Sequence, residues 1–289
     1  MIALIKKILN RFIRKSYWYN NIMFADCSKF WNERDFGIGL VNLGSTSARA
    51  AFNYDGINID ARNWAMSPQS FVGDYEILRN YSCFLKEGAT VLIPICPFSC
   101  LGGSNADLAD KYYTILNIAS IPYASYSRRR NILGVMQDPS STYPLFQLFT
   151  RHSSTGCSDF EKDALMRIDS WKHEFSIMDW ENALTIINQD AYNDSAKILS
   201  EIVEYCRTQN LRPVIVLPPV SKELRSLFTT RMKKLFIEDF VKQAAPCTRF
   251  LNFFDSPDFQ ERNLFENSFM LSYQGAKKFT LAILKKLSI

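Results

Sequence analysis

The chain opens on an amphipathic pattern. Ile2, Ile5, Leu9, Phe12 and Ile13 recur at helical spacing, while Lys6, Lys7, Arg11, Arg14 and Lys15 fill much of the rest of the wheel. The spacing predicts a basic amphipathic helix. Its longest unbroken apolar run, Met1 to Ile5, is too short to span a bilayer or to form the core of a secretion signal. From Gly37 the pattern changes to short apolar runs alternating with helical periodicity. Gly39 to Leu43 reads as a strand, residues 44–47 as a turn, and Ala48 to Phe52 as the start of a helix. Ile57 to Ile59 reads as a second strand, and Pro68 to Leu85 as a helix with proline in its first turn. Thr90 to Ile95 is a continuous apolar, β-branched run bounded by Gly88 and Pro97, as expected of a strand buried on both faces.

Between Pro97 and about Met178 the alternation lapses into prolines, serines and aromatics, and it then resumes. Residues 179–209 carry a long helical pattern, Pro213 to Leu217 a buried strand and Leu224 to Ala244 a further helix. Phe250 to Phe254 reads as a last strand and Tyr273 to Leu287 as a closing helix. Strands alternating with helices of this length predict an α/β fold: a single doubly wound, flavodoxin-like domain over 37–289, with a parallel sheet and helices on both faces. Residues 1–36 form the helix and lead-in. Residues 97–178 form a long insertion after the third strand, expected to lie over the carboxyl edge of the sheet, where ligands of open α/β sheets bind.

Charge narrows the function classes. Lys and Arg total 34 against 29 Asp and Glu, and five of the basic residues fall in the first fifteen positions without an acid among them. The remaining body is neutral, which argues against a nucleic-acid-binding face. The basic helix has two readings. It lies on an anionic membrane surface, or it packs on its own domain or a partner. Seven cysteines form an odd set without a CxxC pair, and only His152 and His173 are present to share a metal with them. No metal or cofactor is expected, and single cysteines in core segments fit a reducing compartment. A cytoplasmic location follows as the expectation, with the inner face of the membrane as the variant that the helix allows.

Three segments carry candidate chemistry. The first is Val41-Asn42-Leu43-Gly44-Ser45-Thr46-Ser47 at the first strand and turn. The second is Asn63-Trp64-Ala65-Met66-Ser67-Pro68-Gln69-Ser70, followed by Asp74-Tyr75. The third is Phe265-Glu266-Asn267-Ser268-Phe269-Met270-Leu271-Ser272 with Gly275-Ala276. Together they resemble the SGNH (GDSL-type) hydrolases, especially the branch associated with bacterial surface-polysaccharide and cell-wall O-acylation, over about residues 37–287. The resemblance implies a Ser-His-Asp esterase or acyltransferase, with the nucleophile on the turn after the first strand and an oxyanion hole of backbone and Asn donors. It maps the serine to Thr46, the histidine to Met270 and the aspartate to Asn267. A thioether cannot take a proton and an amide cannot stabilise an imidazolium by charge, so the resemblance implies a degenerate triad.

Three functions therefore stand open. One is a non-catalytic or altered binding protein for a carbohydrate or acylated saccharide. Another is an active carbohydrate O-acyl esterase or acyltransferase, using Thr46 or Ser47 with a non-standard base such as His152. The third is a membrane-surface scaffold acting through residues 1–15. Ser45, Thr46 and Ser47 also read as simple helix caps, and Asn63, Ser67 and Ser99 are candidate ligand-binding groups. Arg128-Arg129-Arg130 reads as a phosphate or acidic-sugar site or as a solvated loop. Cys96 and Cys100, at the end of a central strand, read as a reactive thiol or as buried structural cysteines.

Overall fold

The computed structural model describes residues 2–33, 35–103, 107–144, 159–177, 179–180, 184 and 186–289. Five strands, β1 (Ile38–Asn42), β2 (Ala61–Asn63), β3 (Leu85–Pro94), β4 (Arg212–Leu217) and β5 (Arg249–Asn252), form an all-parallel sheet in the order β2-β1-β3-β4-β5. This is the doubly wound, flavodoxin-like order, with its topological switch point between β1 and β3. The last six residues of β3, Ala89 to Pro94, are all buried, as the continuous apolar run requires.

Alternate side chains of the central strands face two different cores, as a period of two dictates. Val41, Val91, Ile93, Ile215 and Leu217 enter the larger core. It is covered by α4 (Phe71–Tyr81), α7 (Ile186–Thr208) and the helical pieces between β4 and β5, and Ile77, Leu199 and Phe236 are fully buried in it. Leu40, Leu92, Val214, Val216 and Leu251 enter the smaller core, under α3 (Thr46–Ala51) and α11 (Tyr273–Leu287), where Ala48, Phe279 and Ile283 pack. Each fully buried Leu, Ile or Phe contributes on the order of 1.5–3 kcal/mol relative to exposure.

Local chemistry sets the ends of these elements. Ser70 Oγ accepts the Gly73 N–H at 3.3 Å to cap α4, and Ser272 Oγ accepts the Gly275 N–H at 3.2 Å to cap α11. Such a cap is worth about 1 kcal/mol. Gly44, with φ +109°, turns the chain from β1 into α3, and a Cβ there would lie 2.6 Å from Ala48 Cβ. Gly275 admits the loop beneath α11, since a Cβ would meet the Leu264 carbonyl oxygen at 1.9 Å.

Several elements differ from the expectation. The second strand is Ala61–Asn63, not residues 57–59. Asn42 Nδ2 donates to Asn63 Oδ1 at 2.9 Å, and Tyr54 Oη donates to Asn42 Oδ1 at 3.0 Å, so a polar network sets the β1–β2 pairing. The helix expected from Pro68 starts at Phe71, because Ser70 takes the cap. The helix expected over 224–244 is broken into α8 (Lys222–Ser226), α9 (Thr230–Lys233), a π-helical stretch and α10 (Phe240–Ala244). Thr229 restarts it by accepting the Met232 N–H at 3.2 Å.

The lead-in before β1, which includes the short α2 (Ser28–Trp31), shares the larger core. Trp18, Tyr19, Phe24, Cys27 and Phe30 are buried. Trp18 meets Tyr143 edge-on with ring centroids 5.4 Å apart, and Trp31 Nε1 donates to Thr114 Oγ1 at 3.2 Å. The insertion thus packs against the lead-in. Its described helices include α5 (Tyr126–Gln137) and α6 (Phe160–Glu174), and its two ends return to the carboxyl edge of the sheet. Among the described cysteines, Cys27, Cys100 and Cys206 are buried, whereas Cys83 and Cys247 are exposed. The described helices include none long and apolar enough to cross a membrane.

Candidate functional site

A pocket of about 400 Å³ lies at the switch point. The turn after β1 supplies Ser45 and Ser47, the start of α4 supplies Gln69, Ser70, Phe71 and Asp74, and the end of β3 supplies Pro94 and Cys96. The insertion closes the rim with Ser99, Asp107, Tyr112, Glu174 and Phe175. At its wall, Asp74 is 2% exposed. Its Oδ1 accepts the Gly44 N–H at 2.6 Å and a bond from Gln69 Nε2, while Tyr112 Oη donates to Gln69 Oε1 at 2.9 Å. Burial pushes the Asp74 carboxyl up to about 7, against the opposing pull of the Gly44 and Gln69 donors. Both bonds end on Oδ1, so Oδ2 remains for a ligand. Near neutral pH it can either accept from or donate to a hydroxyl group.

The candidate residues named from sequence separate into three places. Ser45, Ser47 and Ser99 line the pocket. Ser45 occupies the N-cap position of α3 without a side-chain capping bond, and its Oγ instead accepts the Gln69 N–H at 3.1 Å. Ser99 Oγ accepts the Cys96 N–H at 2.8 Å and lies 3.2 Å from Cys96 Sγ. Burial raises the Cys96 and Cys100 thiols, the opposite of what an activated nucleophile needs.

Thr46 and Ser67 form a second group beside the pocket, their hydroxyl oxygens 2.6 Å apart. The loop that carries Ser67 is clamped from the lead-in and the insertion. Asp26 Oδ2 accepts the Ser67 N–H at 3.0 Å, Lys111 Nζ donates to the Ser67 carbonyl at 2.5 Å, and Lys29 Nζ donates to the Ala65 carbonyl. Burial lowers Lys29 to about 8 and lowers Lys111 as well. Asn63 is occupied locally. Its Nδ2 donates to the Phe52 carbonyl at 3.1 Å, and its Oδ1 accepts from Asn42 and from the Ala65 N–H.

Asn267 and Met270 form the third group, under α6. Asn267 Oδ1 accepts the Phe269 and Met270 N–H groups at 3.0 and 2.9 Å and a contact from Arg167 at 3.4 Å. Between them Ser268 is fully buried, with its N–H donated to Asp163 Oδ2 at 3.0 Å and its hydroxyl donated to the same oxygen. Arg167 pairs with Asp163 at 3.3 Å and lies 5.2 Å from the Phe269 ring centroid, and Trp171 meets Phe269 at 5.3 Å. Burial pulls the Asp163 carboxyl up, but the Ser268 bonds and the Arg167 charge outweigh it and hold the group below its ordinary range.

The remaining described candidates lie outside the pocket lining. His173 is exposed and its Nδ1 bonds the Asp169 carbonyl at 2.8 Å, while His152 lies outside the described residues. The basic run at 128–130 sits on α5 rather than in a loop, and Arg128 is engaged by Asp107 at 2.8 Å and by Asp110. Sequence reasoning quoted Asp74 and Gln69 without giving them a role and passed over Tyr112. The available signal was an acid three residues after Phe71 and three before Ile77, set on the buried face of a helix.

No protein-family model matches the chain. No curated protein matches it either. Among solved structures, a protein from Streptococcus pneumoniae provisionally assigned as a platelet activating factor aligns at 10% sequence identity, covering 99% of this chain and 98% of that one, with a TM-score of 0.44. At that distance no residue role passes from one protein to the other.

Proposed function

We propose that this chain is an SGNH-hydrolase-like protein that has lost the family's chemistry and retained its pocket, acting as a saccharide-binding accessory protein in bacterial surface-polysaccharide metabolism. The observation that supports this reading is the division of labour at the carboxyl edge. The positions that the resemblance assigns to acid and base, Asn267 and Met270, do not line the pocket, and Asn267 is engaged by Arg167. The pocket itself offers a ring of hydroxyls from Ser45, Ser47, Ser70 and Ser99, the carboxyls of Asp74 and Glu174, and the Phe71, Tyr112 and Phe175 rings. Hydroxyl and carboxyl groups beside aromatic faces suit a polyhydroxylated, uncharged ligand. The surface-polysaccharide setting rests on the resemblance alone.

The test is a pair of measurements on one preparation. Hydrolysis of p-nitrophenyl acetate and of an O-acetylated hexosamine is expected to stay at the buffer rate. Calorimetric titration with the same sugar is expected to show binding that weakens in Ser47→Ala. Turnover that disappears in Thr46→Ala would overturn the reading.

One observation favours a second reading, a live O-acyl esterase or acyltransferase. The Thr46 hydroxyl, at the start of α3, lies 2.6 Å from the Ser67 hydroxyl, and Lys29, whose amine burial lowers to about 8, donates to the Ala65 carbonyl two residues before Ser67. A lysine of lowered basicity is an alternative base to histidine. This reading requires a rate that rises with pH through about 8 and vanishes in Lys29→Met.

A further inference from the structure

The amphipathic helix α1 (Ile2–Ile13) docks on the body by its polar side. Asn10 Nδ2 donates to Asp138 Oδ1 at 2.9 Å, and Asn10 Oδ1 accepts the Ser140 N–H at 2.8 Å. Lys6 pairs with Asp138 at 2.6 Å, and Arg14, one residue beyond the helix, donates to the Gln137 carbonyl at 2.6 Å. Among the helix residues whose side chains are described, Asn10 and Ile13 are the buried positions. The apolar stripe faces water instead of the core: Leu4, Ile5, Ile8, Leu9 and Phe12 are 47–73% exposed. At 3.6 residues per turn these five side chains share about 140° of arc. Lys7 and Arg11, both exposed, run along one edge of that arc, and the exposed Lys15 follows just beyond the end of the helix.

A helix whose hydrophobic face drives its own folding turns that face inward. Here the inward face is hydrogen-bonded and the outward face is oily, and it is flanked by cations with no acid among residues 1–15. We propose that α1 is a prefabricated membrane-contact element that seats Leu4, Ile5, Ile8, Leu9 and Phe12 among the acyl chains of an anionic phospholipid surface. The Asn10 and Lys6 anchors hold the helix flat on the body, so the stripe is presented as a rigid plane and little ordering cost remains at the moment of binding. Lys7, Arg11 and Lys15 meet lipid phosphates at the headgroup level, and the occupant is therefore a negatively charged bilayer rather than another apolar protein face.

Co-sedimentation of the full chain with phosphatidylcholine–phosphatidylglycerol vesicles, beside pure phosphatidylcholine vesicles, tests this. Binding is expected to the anionic vesicles, to weaken at raised salt, and to fall roughly thirtyfold in a Lys7→Gln, Arg11→Gln variant. The Ile8→Ser, Phe12→Ser variant is expected to abolish it. Both sites are exposed, so an unchanged thermal transition in each variant separates loss of contact from loss of fold. Absence of binding to anionic vesicles, or binding that survives Ile8→Ser, Phe12→Ser, overturns the proposal. So does a wild-type dimer in solution that this variant splits while vesicle binding is lacking, an outcome that assigns the stripe to a second copy of the chain. The saccharide assay on the pocket is read independently of all these outcomes.

Discussion

Two neighbouring regions of the carboxyl edge have met opposite fates. At the ends of β1 and β3 the polar groups converge on a pocket with its own buried acid, Asp74. In the loop of residues 265–272 they are turned on each other and on α6, with Ser268 satisfied by Asp163 and Asn267 by Arg167 and the following backbone. Both regions are rich in hydrogen-bonding side chains, so composition does not distinguish them. The difference is whether a bond is left over for a ligand: Asp74 keeps Oδ2, whereas in the loop the partners come from within the protein. Spacing along the chain therefore does not tell which polar side chains are used up in packing and which face the pocket.

The largest test of this contrast is the pH dependence of stability. Asp74 has a folded value near 7 against an ordinary value of 3.8. A raised carboxyl favours the folded state below its unfolded value, and that contribution is lost as the pH rises from about 4 through about 7. Asp74→Asn is expected to flatten this fall in urea unfolding, changing the difference between pH 4 and pH 8 by on the order of 3–4 kcal/mol. A variant with the wild-type pH profile would remove the buried acid from the pocket's chemistry.

Next in size is the clamp on the loop. Asp163→Ala leaves the buried Ser268 donors without their acceptor and is expected to cost about 2–3 kcal/mol of stability. Asp163 is held below its ordinary range, so its contribution is present above the unfolded value and lost as the pH falls through the folded one. The wild type is therefore expected to weaken in acid below about pH 4 through this clamp, and Asp163→Ala to weaken less. Equal acid sensitivity in the two proteins would place the loop's anchoring elsewhere.

A smaller effect is expected in the pocket. Ser47→Ala is predicted to alter stability by less than about 0.5 kcal/mol. The same change should weaken saccharide binding by about 1 kcal/mol, the worth of one hydrogen bond, as read by calorimetry. The smallest expected effect is also the sharpest test. Installing together the residues that the SGNH resemblance would call for, Thr46→Ser, Asn267→Asp and Met270→His, is predicted to yield no esterase turnover above buffer, because a carboxylate introduced at position 267 would pair with Arg167 instead of orienting an imidazole. Turnover in that variant would mean that Arg167 does not divert residue 267 from orienting an imidazole.

The long apolar strands were legible in the sequence because burial on both faces demands uninterrupted apolar residues, and β3 and β4 satisfy that within their own sequence. The edge strand was not. Ala61-Arg62-Asn63 pairs through the Asn42–Asn63 amides, a contact across 21 residues, while the more apolar Ile57 and Ile59 pack against the smaller core. Proline at position 68 suggested a helix start, but a serine two residues later offered the better cap. Ser45, Ser47 and Ser99 were legible as candidates because turns after central strands of a doubly wound sheet point at the switch point. Asp74 and Tyr112 were not, since their pairing through Gln69 joins a helix to an insertion some forty residues away.

By itself, then, the sequence determined the parallel α/β sheet, through the period and length of its apolar runs. Tertiary structure alone decided the rest. Asp163 and Arg167 reach the 265–272 loop from about a hundred residues away, and Asp138, more than a hundred residues beyond α1, turns that helix so that its oily face looks outward. Periodicity records which residues share a face; only the contacts made across the chain record which way that face is turned.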